Sequence, residues 1–146
     1  MTALRPVTSD FAVAPQITAE DVAAAAAAGV RLIINNRPDG EQPGQPPGQS
    51  IAEAAAAAGV AYLHVPVAGP PGPAQIQAMA AALAEAPGPI LAFCRSGTRS
   101  ITLWAMAQAQ AGTAEPDDLI AQAAEVGYDL GGLRPALQRL RQGQAG

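Results

Sequence analysis

Short apolar runs and alanine-rich stretches alternate along this chain, and glycine or proline marks most of the changes between them. Residues 11–14 predict a short strand, and residues 1–9, which carry no periodicity, are expected to run loosely into it. Thr18-Ala19-Glu20-Asp21 has the form of a capping box. The alanine run behind it propagates a helix, and Gly29 stands where a left-handed C-terminal cap would end that helix. Val30-Arg31-Leu32-Ile33-Ile34 predicts the next strand. Residues 35–49 are polar and broken by prolines and glycines, a loop long enough to be functional or mobile. Ser50-Ile51-Ala52-Glu53 predicts a second capped helix start, Gly59 closes that helix, and residues 61–67 predict a strand. After the break at 69–73 come a helix over 74–86, a strand over 90–93, a helix at about 99–111 and two more at about 116–126 and 132–142.

Alternation of strand and helix predicts an α/β fold with a central parallel sheet of about four to five strands flanked by helices. The 146 residues suit one domain, with a core at about 11–112 and C-terminal helices over 113–146. The formal net charge is −4, and the eight basic residues are all arginines scattered along the chain, so no nucleic-acid partner is expected. The apolar stretches fall far short of the roughly 18 residues that a membrane span requires, and no membrane partner is expected. A lone cysteine excludes an internal disulfide and a multi-cysteine metal site; no metal and no cofactor are expected. Without a basic, apolar and cleavable leader, the expected location is a reducing cytoplasm.

That cysteine opens the run Cys94-Arg95-Ser96-Gly97-Thr98-Arg99-Ser100, at the point where a buried strand gives way to a helix. Backbone N–H groups, a helix N-terminus and arginines together form an anion cradle and favour a thiolate over a thiol. Gly97 lets the backbone curl so that N–H groups point inward, and Arg99 offers a planar two-pronged donor to tetrahedral oxygens. Ser96 and Thr98 belong to the same cradle, and Ser100 is placed to donate to the sulfur. A buried structural cysteine is the bland alternative, but an inert core position has no use for two arginines and a glycine beside it. The pattern predicts Cys94 as nucleophile and a small oxyanion or a phosphorylated molecule as substrate.

The cysteine run resembles the active loop shared, with variations, by cysteine-based phosphatases and rhodanese sulfurtransferases. Residues 30–39 and 59–67 resemble strand segments of dual-specificity tyrosine phosphatases. The three together, over roughly residues 11–112, are most similar to the bacterial phosphatase-like family named beta-lactamase-hydrolase-like. That resemblance implies a cysteine-phosphatase fold, hydrolysis of a phosphate ester through a thiophosphoryl-cysteine, substrate contact by Arg95, and a functional link to a metallo-β-lactamase-type hydrolase. Two departures stand against it. Arg99 follows Cys94 by five positions, the rhodanese spacing, where tyrosine phosphatases use six. The loop after His64-Val65-Pro66-Val67 reads Ala68-Gly69-Pro70-Pro71 and lacks the phosphatases' aspartate. Sulfur transfer through a Cys94 persulfide, which needs no proton donor, is therefore the rival reading, and a non-catalytic anion- or redox-sensing module is the third.

Asp39 and Glu41 follow a strand on the edge where open α/β sheets bind ligands, and either could be the missing acid or base; Asp39 is the candidate adopted, against the alternative of solvated turn residues. Arg37 is a candidate substrate-binding cation, against simple pairing with a nearby acid. His64, inside an apolar strand, is expected to be a hydrogen-bonded structural residue. Trp104 and Tyr62 are expected to pack, and Asp117 and Asp118 to open a helix.

Overall fold

The computed structural model describes residues 4–143. Strands β1 (Arg5–Thr8), β2 (Phe11–Ala14), β3 (Leu32–Asn35), β4 (Ala61–His64) and β5 (Ile90–Phe93) form one sheet in the order β1-β2-β5-β3-β4. The four strands from β2 to β4 in that order are parallel, as the alternation predicts, while β1 pairs antiparallel with β2 at one edge. β1 was invisible to periodicity because an edge strand with exposed and half-buried positions presents no apolar alternation. Residues 1–3 of that expected loose segment lie outside the described residues.

Side-chain alternation splits the core in two, one half on each face of the sheet. Ala14, Ile33, Leu91 and Phe93 point toward α1 (Ala19–Ala27) and α2 (Gly48–Ala57). Phe11, Val13, Leu32, Ile34, Ile90 and Ala92 point the other way, toward α3 (Pro73–Glu85), α4 (Thr98–Ala111), α5 (Pro116–Glu125) and α6 (Arg134–Gly143). Trp104 on α4 is buried and stacks on Phe11, with ring centroids 5.6 Å apart and planes 14° from parallel. Burying each such large apolar side chain contributes roughly 1.5–3 kcal/mol. No helix among the described residues is long and apolar enough to cross a membrane.

Helix starts show where local signals hold. Thr18 and Asp21 form the expected reciprocal capping box. The second helix departs from expectation: it begins at Gly48, its N-cap Pro47 has no capping side chain, and the Ser50 hydroxyl donates to Pro47 O at 2.7 Å. Ser50 is already inside the first turn, and the first helical N–H, that of Gly48, donates instead to the Asp39 carboxylate at 2.7 Å. Register aligns Ala14, Phe93, Asn35 and His64 across the sheet, so the loops after β2, β5, β3 and β4 gather at one edge.

Candidate active site

Cys94 follows β5 at that edge, fully buried, and Gly97 takes a left-handed backbone at φ 94° before α4 begins. The turn sends the Gly97 N–H onto Cys94 Sγ at 3.0 Å. Thr98 N–H donates to Ser96 Oγ at 3.4 Å and Ser96 Oγ–H to Thr98 Oγ1 at 3.0 Å, so both hydroxyls brace the loop. Arg95 is exposed, and its carbonyl accepts from Gln16 N–H at 3.3 Å, tying the loop to the end of β2. Ser100, expected to donate to the sulfur, is buried and donates instead to Asn36 Oδ1 at 2.8 Å. Asn36 Nδ2–H donates to Val65 O at 2.9 Å, so one buried amide joins the loops after β3 and β4 to the first turn of α4.

Arg99 lies in the first turn of α4 and reaches across the edge. Its Nη1 donates to Glu41 Oε2 at 2.7 Å and to Val67 O at 2.8 Å, and its Nη2 donates to Glu41 Oε1 at 2.9 Å. The end of the guanidinium is thus occupied by a carboxylate. Nε–H and the second Nη2–H donate to no protein oxygen among the described residues, and the guanidinium also has the Cys94 sulfur as a neighbour, so the donors it can offer an oxyanion lie beside that sulfur. The Glu41 hydrogen bonds raise the Arg99 pKa, with the neighbouring Cys94 sulfur acting in the same direction.

Arg37 departs from its expected place at the substrate. Its side chain is 4% exposed; Nε donates to Glu41 Oε1 at 2.9 Å, Nη1 to Gln16 Oε1 at 3.0 Å and Nη2 to Gln42 Oε1 at 3.1 Å. Arg37 therefore reaches Arg99 through Glu41. Hydrogen bonds from Arg99, then those from Arg37, outweigh partial burial and hold the Glu41 carboxyl down to about 2, fully ionised near neutrality. A group in that state has no proton to give. Asp39 serves the start of α2, and its hydrogen bond to Gly48 does not reach Cys94 or Arg99. His64 behaves as a structural residue: its Nε2–H donates to the Arg37 carbonyl at 3.0 Å and holds the start of the long loop.

Tyr128, between α5 and α6, was not legible as a site residue. Its hydroxyl donates to Ser96 O at 2.8 Å, a contact that spans 32 residues of sequence and leaves no local signal. Asn36 escaped notice for the same reason, although two successive asparagines ending an apolar strand were a visible anomaly.

Residues 3–111 match the family described as beta-lactamase hydrolase-like protein, phosphatase-like domain. The chain is 39% identical over 127 residues to a beta-lactamase hydrolase-like protein of Agrobacterium fabrum, an alignment covering 86% of this chain and 27% of that protein. The chain spans about a quarter of the length of the curated relatives it matches. Among solved structures, a candidate phosphatase of Neisseria meningitidis Z2491 superimposes with a TM-score of 0.80 at 31% identity, over 93% of this chain and 96% of that one. Tk-PTP in its active form shares the fold, with a TM-score of 0.72 at 14% identity over 95% and 96% of the two chains.

Proposed function

Since the chain belongs to the beta-lactamase hydrolase-like, phosphatase-like domain family, we propose that it is a cysteine-dependent hydrolase of phosphate esters whose leaving groups depart without protonation. The observation that carries this reading is the Gly97 N–H on Cys94 Sγ at 3.0 Å, with Arg99 opening the next helix. In this reaction the Cys94 thiolate attacks phosphorus, the S–P bond forms as the ester P–O bond breaks, and the leaving oxygen departs with the electron pair. Arg99 and the loop amides hold the non-bridging oxygens as charge builds on them. Water then cleaves the S–P bond, releasing phosphate and restoring the thiolate. With Glu41 ionised and Asp39 turned to α2, an aryl ester is the suitable substrate and an alkyl ester a poor one.

A second reading, sulfur transfer, is favoured by two observations taken together. The ring from Cys94 to Arg99 spans five positions, and the neighbouring carboxylate Glu41 is ionised near neutrality. That combination suits a small persulfide and a step without a general acid. Cys94 would attack the outer sulfur of thiosulfate, the S–S bond would break with sulfite leaving, and cyanide would take the sulfur as thiocyanate. Arg95 contacts the substrate in either case, and a functional link to a metallo-β-lactamase-type hydrolase and a cytoplasmic location belong to the same proposal. The experiment runs p-nitrophenyl phosphate and thiosulfate in parallel. Slow, vanadate-inhibited hydrolysis that Cys94→Ser abolishes supports the first reading. One added sulfur on Cys94 by mass spectrometry, with thiocyanate release and no phosphate hydrolysis, replaces it with the second. Anion binding without either turnover leaves a sensing module.

A further inference from the structure

The Ser96–Gly97 peptide is gripped on both sides. In a trans peptide unit the C=O and N–H point in opposite directions. Here Ser96 O receives the Tyr128 hydroxyl at 2.8 Å, while Gly97 N–H meets Cys94 Sγ at 3.0 Å. Were this unit to flip, the carbonyl oxygen would face the sulfur and any bound anion, and the cradle would lose a donor. A glycine on its C-terminal side makes such a flip easy, because φ of either sign is accessible to it. We propose that Tyr128 is a positioning residue for the cysteine loop, its hydroxyl pinning the Ser96–Gly97 peptide with the N–H toward Cys94.

Further observations fit this role. A Cβ built on Gly97 would fall far inside contact with the Tyr128 hydroxyl oxygen, so glycine is required there for the phenol's approach as well as for its φ. Tyr128 is itself buried and held by Arg5, whose guanidinium lies 5.2 Å from the ring centroid while Nη1 donates to Val126 O at 3.2 Å. Burial also pushes the Tyr128 phenol upward from its ordinary value, keeping it a donor at neutral pH. Tyr128 lies beyond residues 3–111, the segment matched by the family model, so this chain supports its loop from a helical region outside that match.

The inference rests on Cys94 being the reactive group, and its test separates the two. In Tyr128→Phe, calorimetric binding of orthovanadate should weaken about fivefold, in keeping with the loss of one buried hydrogen bond behind a donor. In 1H–15N spectra the Gly97 amide proton should move upfield, and the thermal midpoint reports whether the fold is kept. Arg5→Ala, which removes the ring's cation but leaves the hydroxyl, should change orthovanadate affinity by less than about twofold. Equal losses in both variants would make Tyr128 a packing residue only, and an unmoved Gly97 amide with unchanged affinity would overturn the proposal. If the wild-type protein binds neither orthovanadate nor thiosulfate, the reading of Cys94 fails, while the Gly97 amide still decides the role of Tyr128.

Discussion

The loops after β5 and after β3 leave the same sheet edge and are held in opposite ways. Cys94 to Gly97 is short and turns on its backbone, with a left-handed glycine, an N–H on sulfur and the start of a helix, while the Ser96 and Thr98 hydroxyls brace it. Residues 36–47 are held by side chains: Arg37 on Glu41, Gln16 and Gln42; Gln45 on Pro38 O at 2.9 Å; Asp39 on Gly48 N–H. A loop that turns on its backbone can aim an N–H at the sulfur and at an anion beside it. The longer loop satisfies its charges through side chains, Arg37 on Glu41, Gln16 and Gln42 and Asp39 at the start of α2, and what it presents to Arg99 is one ionised carboxylate. On the proposed reading, bond making falls to the short loop and electrostatic scaffolding to the long one.

The strongest test of that division is Cys94→Ser. Turnover of an aryl phosphate, or sulfur loading from thiosulfate, should fall by several orders of magnitude with the thermal midpoint little changed, because a hydroxyl at this position is a far weaker nucleophile than a thiolate. No single substitution within residues 36–47 should approach that loss. Next in size is Arg99→Lys, at the junction of the loops. A lysine cannot hold Glu41 with one edge and an oxyanion with another, so turnover should drop about a hundredfold while circular dichroism stays native. A lysine variant within about threefold of wild type would show that the second face of the guanidinium is unused.

The same contrast separates what the sequence shows locally from what only the fold brings together. Parallel strands β2 to β5, the first capping box and the Cys94 loop were legible because each is written in adjacent residues: apolar runs, Thr18 with Asp21, and a glycine three places after a cysteine. What escaped was fixed by distant partners. Arg37 looked like a substrate ligand because nothing local shows that Gln16, from the loop after β2, lies against it. Ser100 looked like a donor to sulfur because its acceptor, Asn36, is 64 residues away. Glu41 could be named as a candidate acid but not as an ion-paired carboxylate, since its proton affinity is set above all by Arg99, in the first turn of α4 and 58 residues away.

That proton affinity gives the third prediction, Glu41→Gln, of intermediate size. The folded value of about 2 lies below the ordinary 4.5, so the ion pairs contribute in full above about pH 4.5 and are lost as pH falls toward 2. Denaturant midpoints of wild-type protein should decline over that window, and the glutamine variant should lack this part of the slope. Turnover near neutrality should fall about threefold to tenfold, from looser placement of Arg99, and by the same factor for aryl and alkyl esters. A loss much greater for alkyl esters would return Glu41 to the role of general acid.

The smallest effect is expected at Asp39, where the two loops' roles are most easily confused. Its carboxylate accepts the first N–H of α2 and lies at the positive end of that helix, so Asp39→Ala should cost about 1 kcal/mol of stability. Asp39→Asn keeps an acceptor but loses the charge, and should cost a few tenths of a kcal/mol. Neither change touches Cys94, Arg99 or the Gly97 N–H, so aryl phosphate turnover should stay within about twofold of wild type. Leaving-group dependence makes the test sharp. A proton donor matters more as the departing oxygen becomes more basic, so if Asp39 supplied the proton, its alanine variant would lose far more rate on an alkyl ester than on an aryl one. Parallel, small losses on both esters, with the stability change confined to the start of α2, would place Asp39 in the scaffold and leave the chemistry to the short loop.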